Sequence, residues 1–290
     1  MTKKIGDTCV GPVHIPKCLF WKVKPLYSVH GIDWKMFVQK VRGENIPGIV
    51  VPSGPLDEYL GRLSGLSELR GLDIDRQWIT DRGMAALPRL RSLRRLDLQE
   101  ARISDRGLKF LKGLTDLRRL NLRDTKVSDA GMVNLQRLRE LRLLDLGHTQ
   151  LTGSGLVHLR SMGKLRELNL QWTETDDDGL ANVRHLRNLR RLDLRQTEIT
   201  DQGLVYLRNL CKLRFLRLQS TDITGEGMVH LAGLKNMRQL DLTRTAVTDA
   251  GLLRLQTLVN LREIWLAETK VTEEGVRNLR RAVSGLKIYW

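Results

Sequence analysis

The side chains of this 290-residue sequence best suited to hold a metal or move a proton are six histidines and three cysteines. Cys9, His14, Cys18 and His30 are enough donors for a four-ligand zinc site. Their spacings match no Cys/His finger, and Cys18 beside Leu19-Phe20-Trp21 reads instead as a small buried hydrophobe. His148, His158, His185 and His230 are scattered, and no carboxylate–His–nucleophile grouping can be drawn from them. Asp176-Asp177-Asp178 lacks the alternation of a calcium loop and reads as the acidic start of a helix. A Gly-Lys-Ser/Thr phosphate loop, a dinucleotide glycine fingerprint and a nucleophile elbow are all missing. The expectation is a protein without enzymatic activity, cofactor or resident metal.

Recognition chemistry is better represented. Aromatic residues are only 5% of the chain, so each exposed one is informative. The net charge is +16 and the pI ≈ 10.2, which brings an acidic partner into consideration. Residues 1–60 hold eight Lys/Arg against five acids, and the remainder holds 41 against 28, so most of the excess lies after residue 60. Six of the seven prolines precede residue 56, a composition shift that marks a boundary near residues 50–55. No apolar run is long enough to span a membrane. The first residues lack the apolar core of a secretory signal, and three cysteines are no disulfide framework for a chain of this length. The reading is a cytoplasmic monomer with no membrane association.

Positioning comes from an internal repeat. Glycine recurs at Gly83, Gly107, Gly131, Gly155, Gly179, Gly203, Gly227, Gly251 and Gly275, always 24 residues apart. One copy runs Leu189-x-x-Leu192-x-Leu194-x-x-Thr197-x-Ile199-Thr200-Asp201-x-Gly203-Leu204-x-x-Leu207. Leu192 and Leu194 alternate as in a short half-buried strand. Thr200 and Asp201 are placed to accept from the first free amides of a helix carrying Leu204, Leu207 and Leu210. Thr197, where the strand must turn, has a hydroxyl able to bond the backbone of its own coil or the next. One strand and one helix cannot bury their apolar faces alone, so the copies must stack.

This pattern resembles the leucine-rich-repeat family, in its subclass with Thr in place of the usual Asn and a Thr-Asp-x-Gly-Leu helix opening. The resemblance implies an α/β, right-handed solenoid similar to ribonuclease inhibitor, with a curved parallel sheet on the concave side and helices on the convex side. It also implies protein binding as the usual role. Thr175-Asp176-Asp177 departs from Ile-Thr-Asp, and Gly153 and Gly225 replace the capping Asp, each weakening one helix start. The expected organisation is an N-terminal segment 1–48, either a cap over the first coil or a small separate module. A degenerate capping repeat follows at 49–68, then the solenoid 69–290 with a terminal strand at 286–290.

In such a solenoid the residues flanking the strand leucines face the groove. The position between the leucines is Asp or Asn in Asp73, Asp97, Asn121, Asp145, Asn169, Asp193 and Asp241, with Arg217 and Trp265 breaking the pattern. The candidate partner-binding cluster is Trp172, Arg191, Arg195, Phe215, Arg217 and Trp265, residue types in which binding energy concentrates. The alternative reading is that Phe215 and Trp265 only cover a gap between coils. A second row, Arg94, Arg118, Arg142, Arg166, Arg190 and Arg214, continues to Arg70, Arg238 and Arg262. It is either an anion track or a set of counter-ions for the Asp ladder. Arg160, Arg184 and Arg208 read as a solvated convex face. Two functions follow: a scaffold gripping a protein or peptide on the concave sheet, or a binder of nucleic acid or an anionic surface through the arginine row.

Overall fold

The computed structural model describes residues 39, 41–43, 47–50, 57, 60–74 and 79–290. The zinc-candidate residues Cys9, His14, Cys18 and His30 and nearly all of segment 1–48 lie outside the described residues.

Eleven three-residue strands form one parallel sheet in sequence order: β1 (Gly48–Val50), β2 (Gly71–Asp73), β3 (Arg95–Asp97), β4 (Arg119–Asn121), β5 (Leu143–Asp145), β6 (Glu167–Asn169), β7 (Arg191–Asp193), β8 (Phe215–Arg217), β9 (Gln239–Asp241), β10 (Glu263–Trp265) and β11 (Lys287–Tyr289). The register is that of the repeat, with Leu96 opposite Leu120 and Leu192 opposite Leu216. Only β1 departs, pairing Gly48 with Gly71 at an offset of 23. The central residue of each strand points inward, and Leu96, Leu120, Leu144, Leu192 and Leu240 are buried. Residues on either side of it face solvent on the concave surface. The chain is an α/β solenoid.

In most coils the convex element is shorter and tighter than the α-helix the sequence suggests; Asp249–Leu255 and Glu273–Ala282 are α-helical throughout. At Asp105–Leu108, Asp129–Met132, Asp177–Leu180 and Asp201–Leu204 a single α-turn runs straight into a 3₁₀ turn. Leu108, Leu111, Leu114 and Leu117 follow one another every three residues and are all buried, and the turn after the helix keeps that step with bonds from the Leu114 amide to the Leu111 carbonyl and from the Leu117 amide to the Leu114 carbonyl. The coils that follow Gly153 and Gly225 have only 3₁₀ structure, at Ser154–Leu159 and Glu226–His230.

Thr197 settles on its own coil: its hydroxyl donates to the Leu194 carbonyl at 2.7 Å. Thr125, Thr149, Thr221 and Thr245 do the same. The Asp of the Thr-Asp-x-Gly segment, however, does not cap its own helix. Asp201 accepts the Thr224 amide at 2.9 Å and also the Thr224 hydroxyl, both in the next coil. Asp57, Asp81, Asp105, Asp129, Asp177 and Asp249 make the equivalent bonds to Thr80, Ser104, Ser128, Thr152, Thr200 and Thr272. In several coils the same hydroxyl also accepts from its own helix, as Ser104 does from Arg106 and Thr200 from Gln202. A carboxylate, a hydroxyl and a helix N-terminus are thus wired in series across each joint.

The invariant glycine follows from this wiring. A Cβ on Gly107 would lie 2.5 Å from Asp81 Oδ1, and on Gly275 its three nearest neighbours would all be atoms of Asp249, the first two well inside contact distance. Where Gly153 removes the carboxylate, the next cap is Asp176, which turns to its own helix and accepts the Gly179 amide at 2.8 Å. An Asp at 153 would face it with like charge.

Gly275→Ala is expected to cost about 1–3 kcal/mol in urea unfolding, the range for a side chain forced into filled space. In an Asp249→Gly background the same change should be close to neutral, because the obstructing carboxylate is gone. An equal cost in both backgrounds would show that the glycine answers to something other than the neighbouring carboxylate.

Candidate functional site

The concave ends of β5 to β10 enclose two adjoining hollows. One, of about 460 Å³, is lined by Asp145, Glu167, Asn169, Arg191, Asp193, Phe215, Arg217 and Gln239 along with strand leucines. The other, of about 190 Å³, is lined by Arg195, Phe215, Arg217, Gln239, Asp241 and Trp265. Five of the six candidate residues therefore meet on one surface, with Phe215 and Arg217 shared between the hollows. Trp172 is not among the lining residues. It stands on the rim where the strands end, half exposed and stacked on His148 with ring centroids 5.1 Å apart. Its φ of 56° belongs to a row of left-handed residues that includes Glu100, Asp124, His148, Gln196, Ser220, Arg244 and Glu268.

The charges of the hollow are arranged around Asp193. Arg195 reaches its carboxylate at 2.7 Å and Arg217 at 3.2 Å. Arg195 also donates to Gln171 in the preceding coil. The hydrogen bond to Asp193 outweighs burial and raises the Arg195 pKa above its usual value, so that guanidinium is permanently charged. Arg191 lies over the Phe215 ring at 4.5 Å and 3.8 Å from Glu167, which holds the aromatic face under a cation. Trp265 stacks on Tyr289 of the last strand, centroids 5.1 Å apart and planes 10° from parallel. Both aromatics lie on the solvent face, above the buried leucines. Gln239 and Tyr289 also belong to this surface, although neither is in the candidate cluster. Gln239, which donates to Glu263 at 2.6 Å, occupies the same repeat position as Phe215, and that position was the available signal.

The Asp/Asn row has a backbone task. The side-chain oxygens of Asn121, Asp145, Asn169 and Asp241 accept the amide two residues ahead at 3.0 Å, and those of Asp97 and Asp193 do so at 3.3 Å. These amides point out of the ladder as each strand ends, and the Asx turn gives them an acceptor. The arginine row does not neutralise these carboxylates. Among the described residues, Arg94, Arg118, Arg142, Arg166, Arg190, Arg214, Arg238 and Arg262 have no carboxylate within 4.0 Å. Their carbonyls hold the coils instead, as Arg70 does for the amides of Arg94 and Arg95. Among the described residues no group of three or more His, Cys, Asp or Glu is placed to hold a metal, and no helix is long and apolar enough to cross a membrane.

Two carboxylates of the array are shifted in opposite directions. Burial dominates at Asp145 and raises its pKa against the bonds from Gly147 and Asn169. At Asp129 burial also pushes upward, but the bonds from Thr152, Gly155 and Gly153 together prevail and lower it. Asp145 therefore supports folding at low pH, and that support is lost as pH rises through its raised value. Asp129 supports folding above the ordinary carboxylate range and loses that effect as pH falls through its lowered value. Carboxyl NMR titration should find Asp145 titrating above a free aspartate and Asp129 below it; coincident midpoints would contradict both assignments.

A family profile described as Leucine Rich repeat matches residues 89–112, 113–135, 185–207, 209–232 and 233–255. No curated protein matches the chain. Among solved structures, internalin C2 of Listeria monocytogenes is 23% identical with a TM-score of 0.53, over 64% of this chain and 74% of that one. A leucine-rich-repeat protein of Leptospira interrogans is 15% identical with a TM-score of 0.51, over 93% and 89%. At these identities the likeness is one of fold. The five matched segments are similar to the leucine-rich-repeat family, and the in-register parallel sheet shares the fold of these two structures.

Proposed function

We propose that this protein is a non-enzymatic scaffold that binds a protein or peptide across β6 to β10 of its concave sheet. The observation that carries the reading is the convergence of Phe215, Arg217, Arg191, Arg195 and Trp265 on two adjoining solvent-facing hollows. Aromatic and arginine side chains are the usual anchors of protein interfaces. Four of the five, all but Arg195, are presented by strands rather than loops, so little ordering is required on binding. The mixture of a bound carboxylate at Asp193, fixed cations and aromatic faces suits an extended peptide with apolar and acidic side chains. In this reading residues 49–68 cap the array and 69–290 form the binding solenoid.

The combined variant Phe215→Ala/Arg217→Ala/Trp265→Ala tests it in pull-downs from nuclease-treated lysate, followed by direct titration of the captured partner. Affinity should fall at least about 30-fold, corresponding to roughly 2 kcal/mol of anchor loss. Tm should move by only a few degrees, because the buried leucines are untouched. Unchanged capture would reject the groove as the site, and a collapsed Tm would assign these side chains to the core.

A further inference from the structure

The two edges of the solenoid carry opposite charge. Each coil returns from its convex element to its strand through a seven-residue turn, at 88–94, 112–118, 136–142, 160–166, 184–190, 208–214, 232–238 and 256–262. These eight segments hold 20 Lys and Arg against two acids, Asp116 and Glu140. That excess of 18 is larger than the +16 of the whole chain. The opposite edge, where strands lead out to the next helix start, runs the other way. Segments 99–106, 123–130, 147–154, 171–178, 195–202, 219–226, 243–250 and 267–274 hold seven cations and 16 acids. The basicity is therefore a property of one edge and not of a uniformly cationic surface.

That edge is firmly framed. Asn188, Asn236 and Asn260 donate to carbonyls of the preceding turn at 2.6–2.8 Å, and Ser161 and Thr257 do so at 2.8 Å. Along it run the arginines that have no carboxylate within 4.0 Å among the described residues. Arg160, Arg184 and Arg208, expected on a convex face, stand at the helix ends that open onto the same edge. Arg137, Arg139 and Arg160 border a shallow hollow of about 320 Å³ between adjacent turns. The field is felt by the edge's own titratable groups. His185 is lowered first by burial and then by Arg184, Arg160 and Arg187. Glu140 is lowered first by the Lys164 hydrogen bond and further by Arg118 and Arg142.

From this edge we infer a second binding surface, independent of the groove, that takes the phosphate backbone of a nucleic-acid duplex without reading its sequence. Sixteen of the 20 cations are arginine, whose planar fork matches phosphate oxygens two at a time. Neighbouring parallel strands repeat at about 4.8 Å, so Arg70 to Arg262 span roughly 38 Å, a little over one turn of B-form DNA. Of the large apolar side chains exposed among the described residues, only Val259 falls in these segments. A membrane-inserting edge would present several, and a single-strand binder would present stacking aromatics.

The test is fluorescence anisotropy with a 24-base-pair duplex of mixed sequence, repeated across 50 to 300 mM salt. Wild type should bind with an affinity that falls steeply and linearly in log–log form as salt rises. Arg142→Gln/Arg166→Gln/Arg190→Gln/Arg214→Gln should weaken binding about 100-fold or more at 100 mM salt and flatten the slope by about 3 to 4. A control with the same net charge, Arg106→Gln/Lys126→Gln/Arg254→Gln/Lys270→Gln, should lose less than about 5-fold, and the groove variant should bind like wild type. If the ladder variant does not fold, Arg137→Gln/Arg139→Gln/Arg187→Gln/Arg208→Gln asks the same of the turns. No duplex binding at 50 mM salt, or equal losses in edge and control variants, would overturn the inference. So would preferential binding to vesicles containing phosphatidylserine, or to polyglutamate, over the duplex.

Discussion

A carboxylate in one coil that receives both the amide and the hydroxyl of the next coil's helix cap is the interaction on which this array turns. The leucines supply burial but are non-directional, and a stack of leucine-lined coils could slide or rotate without losing much contact. The Asp81–Ser104 and Asp201–Thr224 bonds remove that freedom, because each fixes a helix start against its neighbour. Register in the sheet and register at the helix starts then agree at 24 residues. At most joints the glycine two positions on is a by-product of the same contact, since it leaves room for the carboxylate of the coil before; Gly179 and Gly251 instead meet the backbone of Gly153 and Gly225.

With the frame fixed in this way, the solvent-facing strand positions are free to vary. Phe215, Arg217 and Trp265 occupy places where other coils carry Gln, Asp or Asn, and the sheet accepts them without a change in pairing. Function and fold are separated by the pleat: the inward residue of each strand belongs to the core, and its two neighbours belong to whatever the surface meets. The edge arginines are separated further still, since it is their carbonyls that the coils use and their side chains that remain available.

Much of this could be read directly from the letters. The 24-residue period and the alternating Leu192–Leu194 pair gave the stacked strands, the face each residue occupies and five residues of the concave surface. The destination of Asp201 was not legible. Capping chemistry is local, and its true partner sits 23 residues away, adjacent only after stacking. The same holds for the Asx turns, which require the strand to end after Asp97 or Asp145 rather than continue through the following leucine. Trp172 was recognised by type and by its place beyond the strand, but the left-handed backbone on which it stands is one that a bulky residue does not advertise. The three-residue leucine spacing is compatible with the tight convex turns but does not decide them, since Leu252 and Leu255 keep it inside the α-helix Asp249–Leu255.

The two coils that begin at Gly153 and Gly225 have a mechanical consequence. Each lacks the carboxylate that ties its successor, and Thr248, the cap after Gly225, has no side-chain bond to its own helix. Those joints are held by glycine-to-glycine backbone packing, Gly153 against Gly179 and Gly225 against Gly251. A solenoid's cohesion is the sum of its nearest-neighbour interfaces, so the directional clamp is interrupted twice and runs unbroken only within three blocks of coils. The two interruptions bracket the coils that carry Arg191, Arg195, Phe215 and Arg217, which sets the groove on a block of its own.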